Sequence, residues 1–155
     1  MNEQENTNQL DAWRLFLLLH SKIIDVVDRD IQAAGGLPLN HYDVLIELHE
    51  APDKRLRLFE LAEHVVLTRS SITRLVGAVE NQSLLQRQTD PADRRGSYAV
   101  ITDKGEQALS ESWPLYSAAI MQHFGQYLSD EEAATIAQAF SRIFTAEQFG
   151  DAGLA

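Results

Sequence analysis

The 155-residue sequence contains no cysteine. This absence excludes disulfide bonds, thiolate metal sites and cysteine-based peroxide sensing. The sequence also lacks an apolar run long enough to span a bilayer, and residues 1–9 are polar and acidic rather than a secretory signal. We therefore expect a cytoplasmic protein with no membrane partner, organised as one globular domain or as two small lobes that share a helix.

The sequence patterns of common enzyme sites are missing as well. There is no glycine-rich phosphate loop, no nucleophile elbow and no credible Ser/His/Asp constellation. None of the five histidines has a second histidine four residues away, the spacing that suits a metal on a helix. The sequence therefore predicts neither an enzyme nor a cofactor, and it assigns no metal ligand.

Positive charge is scarce overall and concentrated in the middle of the chain. The net charge is −10, from 13 basic and 23 acidic residues, and such a balance repels a polyanion. Residues 54–104, however, contain 9 basic and 6 acidic residues and carry +3, whereas the remainder carries −13. A basic segment between acidic flanks indicates a DNA-reading module on an acidic body.

Apolar residues at three- and four-residue steps predict helices at the start of the chain. The first helix is predicted at about 10–34 and is ended by Gly35-Gly36. The second is predicted at 41–50, after Asn40 as its N-terminal cap. The first helix is apolar on more than one face, which favours more than one packing neighbour.

Two shorter helices follow in the basic segment. A third helix is predicted around Leu58–Val65, and a fourth at about 69–82 with Thr68 as its cap. The fourth helix has one apolar stripe, and its opposite face carries small polar residues and Arg74, which is long enough to reach a guanine edge or a phosphate. A short helix followed by a helix of this kind is typical of a helix-turn-helix.

A hairpin with two arginines at its tip comes next. Its strands are predicted at Leu85–Thr89 and Tyr98–Thr102. Arg94 and Arg95 form a cationic finger of the width needed to enter a DNA minor groove, and Asp93 can pair with a guanidinium and aim it. A hairpin merely stabilised by its own ion pair is the alternative, but an exposed pair contributes only about 0–1 kcal/mol. Helix and hairpin together predict a winged helix-turn-helix that binds DNA.

Two further apolar helices complete the chain. The fifth is predicted from Thr102–Gly105 to about Tyr127, with a kink or a break at Pro114. The last begins after Ser129, which forms a capping box with Glu132. The terminal helices are more apolar than so small a DNA-reading core requires, so we predict that they form a dimerisation lobe with the first helix.

The order helix, helix, helix-turn-helix, wing, long helix, helix resembles the multiple antibiotic resistance regulator (MarR) family. The resemblance covers 10–147 as a single domain and is carried by Leu61–Glu63, Thr68–Val76, Asp90–Arg95, Ile101–Gly105 and Leu128–Glu132. It implies a mainly α fold with a small β-wing. A winged helix-turn-helix DNA-binding lobe (37–103) is then joined to a helical dimerisation lobe (10–34 and 104–147), with flexible tails at 1–9 and 148–155.

The resemblance also implies how the protein works. Members form obligate homodimers on a pseudo-palindromic DNA operator, usually as repressors relieved by a small aromatic or phenolic effector. By position, the residues that would contact DNA lie on the fourth helix and the wing: Arg69, Ser70, Ser71, Thr73, Arg74, Asp93, Arg94 and Arg95. The helix residues would face the major groove. Arg94 would enter the minor groove, and Arg95 would touch the backbone or share that groove.

An effector pocket is the second site that the resemblance implies. In this family it usually lies where the first, second and fifth helices meet. The residues that would line it are Trp13, His20, His41 and Tyr42. Aromatic residues at helical spacing are also ordinary core or dimer-seam residues, so both interpretations stay open here.

Two positions depart from the family pattern. Val66 stands where many members have a glycine in the turn before the recognition helix, and Ser83 where a glycine commonly closes that helix. A β-branched residue at positive φ would be strained, so we expect a different turn conformation at Val66.

Two other functions remain compatible with the sequence. One is a winged-helix protein-interaction module that has lost DNA binding, although the wing residues are intact. The other is a metal-responsive regulator, because some relatives sense zinc through histidines and carboxylates.

Overall fold

The computed structural model describes residues 7–65, 69–89 and 96–147. Its helices are α1 (Thr7–Ala33), α2 (Leu39–Glu50), α3 (Leu58–His64), α4 (Arg69–Asn81), α5 (Asp103–His123) and α6 (Asp130–Ala146), and its strands are β1 (Arg55–Arg57), β2 (Leu85–Thr89) and β3 (Ser97–Ile101). The chain divides into two compact units between Ala119 and Ile120. None of the described helices combines the length and hydrophobicity needed to cross a membrane.

Several sequence predictions fall outside these ranges. The turn at Val66 and the cap at Thr68 lie outside the described residues. So does the predicted C-terminal tail, and so do residues 1–6 of the N-terminal one. Residues 7–9 belong to α1, which therefore begins three residues earlier than predicted.

The start of α2 differs from the sequence prediction. Asn40 is not its cap: the helix begins at Leu39, and Pro38 occupies the capping position without a side-chain hydrogen bond. Instead, Asp28 of α1 accepts a hydrogen bond from the Leu39 amide over 2.7 Å. An amide of the first helical turn has no partner within the helix, so a carboxylate from a neighbouring helix can satisfy it. The prediction was wrong because this cap comes from a residue eleven positions away.

The sheet has three strands rather than the predicted two. β3 lies in the centre and pairs antiparallel with β1 on one side and β2 on the other. Both hairpin strands lie within one residue of their predicted bounds. The three residues of β1 were not predicted, because Arg55-Leu56-Arg57 is too short for a period of two to be recognised.

One main core holds these elements together. Its fully buried members come from α2, α3, α4, β2 and β3 and include Leu45, Leu48, Leu61, Val76, Val79 and Leu85. Burying a side chain of this size stabilises the fold by about 1.5–3 kcal/mol. α4 is therefore fixed on its apolar side by the rest of the lobe.

α5 runs through Pro114 without the break that the sequence allowed for. The proline lacks an amide hydrogen, so it removes one helical hydrogen bond, but it lies on an exposed face where water can replace it. The helix ends at His123, and the turn Gly125–Tyr127 is a 3-10 helix rather than its continuation. The buried hydroxyl of Ser112 accepts a hydrogen bond from the Leu37 amide at 3.1 Å, which anchors α5 beside the entry to α2.

Candidate nucleic-acid interface

α4 has two chemically different faces. Ile72 and Val76 are buried in the main core. Ser71, Thr73 and Arg74 are exposed on the other side of the helix. The apolar stripe predicted from the sequence is thus the side that packs, and three of the candidate DNA-binding residues lie together on the side left open.

The remaining candidates can be placed only in part. Arg69 and Ser70 belong to α4, but their side chains lie outside the described part of the chain. Asp93, Arg94 and Arg95 lie outside the described residues altogether. The strands that lead to them are described, and Thr89 pairs with Ser97 at the end of the ladder. The DNA-binding role of the tip between these two residues therefore stays a prediction from the sequence.

β1 brings two further arginines to the sheet beside α3. The guanidinium carbons of Arg55 and Arg57 lie 4.9 and 5.3 Å from the centre of the Tyr98 ring. Arg57 also donates from Nε to the Tyr98 hydroxyl over 3.2 Å. Stacking on an aromatic face holds a guanidinium in place. Arg55 also pairs with the exposed Asp53 carboxylate over 3.6 Å. These arginines were counted in the basic segment, but no sequence pattern predicts that both would contact the same tyrosine.

The C-terminal end of α4 is fastened to the start of α5. Ser83 closes the helix with a φ of 63°, the left-handed conformation in which the family commonly has glycine. The Thr102 amide donates to the Leu84 carbonyl over 3.1 Å, and the Thr102 hydroxyl donates to the Ser83 carbonyl over 2.7 Å. The Lys104 ammonium donates to the Gln82 carbonyl over 2.7 Å. Three carbonyls after the helix are therefore satisfied by two residues of the Thr-Asp-Lys-Gly segment.

Gly105 is required by the same junction. A Cβ at this position would lie 2.0 Å from the Leu84 carbonyl oxygen, far inside contact distance. The Gly105 amide also donates to the Thr102 hydroxyl oxygen over 3.1 Å. Close backbone approach thus explains the glycine of this segment, and it fixes where the recognition helix ends.

The four candidate effector residues form two separate pairs in sequence and in environment. Trp13 and His20 lie on α1 and are exposed, Trp13 by 59%. The Phe16 ring lies between them, with its centre 5.9 Å from that of Trp13 and 6.1 Å from that of His20. This arrangement leaves Trp13 and His20 on an open aromatic surface of α1.

His41 and Tyr42, in contrast, are buried in α2, at 8% and 6% exposure. The Tyr42 ring packs against that of Tyr116 in α5, with centres 4.7 Å apart. Burial lowers the pKa of His41, although the Asp28 carboxylate opposes the shift. Burial also raises the pKa of Tyr42, with a smaller contribution from Tyr116. At neutral pH this pair is therefore uncharged and suited to contact an aromatic group.

Asp43 adds an acidic group beside these rings. Its burial, reinforced by the carboxylates of Glu47 and Asp28, raises the pKa of this side chain to about 6. Asp43 in turn contributes to a raised pKa of Tyr116, for which burial is the larger cause. Tyr42 of α2 and Tyr116 of α5 are thus combined with an α2 carboxyl group that takes up a proton in mildly acidic solution.

Two further histidines, His49 and His64, pair with carboxylates. His49 Nδ1 lies 2.7 Å from Glu106, which also accepts a hydrogen bond from Lys54 at 2.8 Å; the bond from Lys54 is the main cause of the lowered pKa of Glu106. His64 Nδ1 lies 2.6 Å from Glu47. Among the described residues, no group of three histidine, cysteine or acidic side chains is arranged to hold a metal ion. Nothing in this part of the chain favours the metal-responsive alternative.

Comparison with known proteins agrees with this geometry. The model of the MarR family matches residues 35–96. The transcriptional regulator MhqR of Bacillus subtilis is 31% identical over 140 residues, which cover 88% of this chain and 94% of MhqR.

Solved structures show the same fold. Sco3205, a MarR family regulator from Streptomyces coelicolor solved in complex with DNA, is 31% identical with a TM-score of 0.77, covering 88% of this chain and 84% of its own. CouR from Rhodococcus jostii, solved with p-coumaroyl-CoA, is 22% identical with a TM-score of 0.71, covering 86% of this chain and 91% of its own. The predicted fold class, mainly α with a small β-wing, is confirmed.

Proposed function

The chain belongs to the MarR family of DNA-binding transcriptional regulators, and from that premise we propose that it binds a pseudo-palindromic operator as a homodimer and represses transcription until a small effector binds. Since members of this family are regulators, the expectation that the chain is not an enzyme is confirmed. Binding to chromosomal DNA would place the protein in the cytoplasm.

The observation that carries the proposal is the open polar face of α4. Ser71, Thr73 and Arg74 present hydroxyls and a guanidinium on a helix whose other side is packed into the core. Such groups read base edges in a major groove. In a dimer, two copies of α4 would enter successive major grooves about 34 Å apart, and the wings would reach the flanking minor grooves.

Exposed apolar residues support the homodimer. Within the described residues, α1 leaves large apolar side chains open to solvent, among them Leu10, Trp13, Leu15, Leu17 and Leu18, and α6 does the same with Phe140, Ile143 and Phe144. Surfaces of this kind on a folded chain mark sites of association. We assign them to a second copy of the same chain, because a palindromic operator requires a twofold-symmetric reader.

The effector is proposed to be a small aromatic or phenolic compound. An effector that enters beside α2 and α5 would contact the Tyr42 and Tyr116 rings, which pack against each other. CouR, a relative in fold, was solved with p-coumaroyl-CoA. An effector that changes the spacing between the two recognition helices by a few ångströms would prevent both from fitting their half-sites, so operator affinity would fall.

Fluorescence anisotropy tests the proposal. The DNA is the region upstream of the protein's own gene, compared with a scrambled duplex over a series of salt concentrations. Arg74→Ala should reduce discrimination between the two DNAs, because a guanidinium that contacts a base contributes about 1–3 kcal/mol to specificity. The control is Arg142→Ala on the exposed surface of α6, which removes the same charge. A folded wild-type dimer that binds neither DNA would favour the interaction-module alternative, and equal binding of both DNAs would contradict sequence-specific operator recognition.

A second variant tests the wing. Arg94→Ala should weaken operator binding strongly, most of all where the minor groove is narrow and its potential most negative. Anisotropy with operators that carry an A-tract or a G·C-rich flank measures this dependence. Wild-type affinity on both operators would refute a role for Arg94 in the minor groove.

A further inference from the structure

Gly77 lies in the middle of α4, where a glycine costs about 1 kcal/mol relative to alanine. Its backbone does not adopt a positive φ, so the helix itself does not require glycine. The neighbour that a Cβ would meet is the Arg87 guanidinium of β2, at 3.5 Å. This distance is an ordinary van der Waals contact, so an alanine would also fit, and the guanidinium lies directly against α4 at Gly77.

Arg87 is held at three points on α4. Its Nη2 donates to the Thr73 carbonyl over 3.0 Å. Its Nε lies 3.4 Å from one oxygen of Glu80, and its backbone amide donates to the other oxygen over 2.9 Å. Thr73, Gly77 and Glu80 are spaced four and three residues apart and therefore share one side of the helix. The residues of α4 that Arg87 contacts thus extend over about two helical turns.

These contacts join the two parts of the molecule that are proposed to touch DNA. β2 leads directly into the wing tip, and Thr73 is next to Arg74 on the exposed side of α4. A planar guanidinium can satisfy a carboxylate and a carbonyl at once, which an ammonium group cannot do in the same geometry.

We propose that Arg87 is a positioning residue for DNA recognition, which fixes the wing relative to α4 so that both fit one operator half-site. This rests on the proposed function of operator binding. The competing role, a direct contact with a DNA phosphate, predicts a different dependence on sequence and salt. A phosphate contact contributes equally on all sequences and to the salt slope, whereas a positioning residue contributes to selectivity.

The test uses Arg87→Lys, which keeps the positive charge and loses the fork. We expect the ratio of operator affinity to scrambled-DNA affinity to fall roughly tenfold, because a charged hydrogen bond is lost, while the salt slope stays that of the wild type. Arg142→Lys is the matched control and should keep the wild-type ratio. An unchanged ratio for Arg87→Lys, or an equal loss on both DNAs, overturns the proposal.

Glu80→Gln is the second variant, because it releases the guanidinium without removing it. A positioning role for Arg87 predicts a lower affinity ratio in Glu80→Gln, whereas a phosphate contact predicts tighter binding to both DNAs.

A DNA-free measurement separates this inference from the proposed function: the Arg87 Nη protons should show restricted rotation in ¹⁵N-resolved NMR of the wild type. Freely averaging Nη signals would overturn the anchoring even if operator binding is selective. Anchored Nη signals together with unselective wild-type binding would refute the proposed function, and with it the role of Arg87 in recognition.

Discussion

Leu45 of α2 and Leu17 of α1 are both leucines in amphipathic helices, yet Leu45 is fully buried and Leu17 is 48% exposed. Leu45 belongs to the core that α2, α3, α4 and the sheet close around. Leu17 belongs to the outer part of α1, where several large apolar residues are open to solvent. The first region is completed by its own chain. The second leaves a surface that the described residues do not cover.

The difference shows that an apolar helical stripe has two meanings that the sequence does not separate. In the winged-helix lobe the apolar stripe stabilises the folded state, since each buried side chain removes apolar area from water. On the outer part of α1 the same pattern contributes to folding only if a second surface covers it, and we propose that a second copy does so. Variants in the two regions should therefore affect different measurements.

The largest effect is expected in the completed region. Gly105→Ala would place a methyl group 2.0 Å from the Leu84 carbonyl oxygen, which is a backbone atom of a buried residue. The free energy of unfolding should fall by about 3 kcal/mol or more, because the junction of α4 and α5 must open. Chemical denaturation followed by circular dichroism measures this loss. Ser110→Ala, an exposed position on α5, is the control, and a Gly105→Ala protein as stable as that control would show that the junction is plastic.

The next effect tests the uncovered region. Leu17→Glu places a charge on the apolar surface of α1 and should raise the dissociation constant of the proposed dimer at least about 100-fold, because a buried unpaired charge is costly. Light scattering coupled to size-exclusion chromatography should show a halved mass. Lys22→Glu, on the same helix but at a polar position, should keep the wild-type mass. A Leu17→Glu variant that stays dimeric would move the dimer contact away from this surface.

A smaller effect concerns Asp43, an acidic group partly enclosed by the completed region. Its pKa of about 6 lies above the 3.8 of a free aspartate, so between these pH values the folded state holds a proton that the unfolded state has lost. Protonated Asp43 therefore stabilises the folded state fully below pH 4, and this stabilisation is lost as the pH rises through 6.

Asp43→Asn removes the free-energy cost of keeping a charged carboxylate buried above pH 6. At pH 7.5 it should raise the free energy of unfolding by about 1–2 kcal/mol, a value reduced for the partial exposure of the group. Near pH 4.5 the gain should be much smaller. Thermal melts at the two pH values measure the change, and a gain that does not grow with pH would contradict the assigned pKa.

The smallest effect is local to α6. The Ser129 hydroxyl accepts a hydrogen bond from the Glu132 amide over 3.3 Å, and the Glu132 carboxylate accepts one from the Ser129 amide over 2.9 Å. Ser129→Ala should cost about 1 kcal/mol, the usual value for a lost cap. Hydrogen exchange should accelerate in the first turn of α6 and stay unchanged in α4. Equal acceleration in α4 would contradict a local effect.

The parts that the sequence predicted well depend on neighbours a few positions away. The bounds of α4, the strands of the hairpin and the capping box at Ser129 follow from local periodicity and turn chemistry, and the structure agrees with them to within one residue. The parts that were missed depend on distant contacts. Asp28 caps a helix eleven residues later, and Arg87 reaches back fourteen residues to Thr73. No local pattern contains that information.

The junction after α4 also has an electrostatic consequence. A helix has a partial negative charge at its C-terminus, where unpaired carbonyls point outward, and that charge repels phosphates. Here the Lys104 ammonium and the Thr102 hydroxyl bind carbonyls of Gln82 and Ser83, directly beyond that end. The negative pole of the recognition helix is therefore partly neutralised from within the chain, so its positive pole contributes more of the helix's field at a nearby polyanion. The junction that sets where α4 ends thus also makes the net field of the helix more positive, which would favour the DNA contact proposed for it.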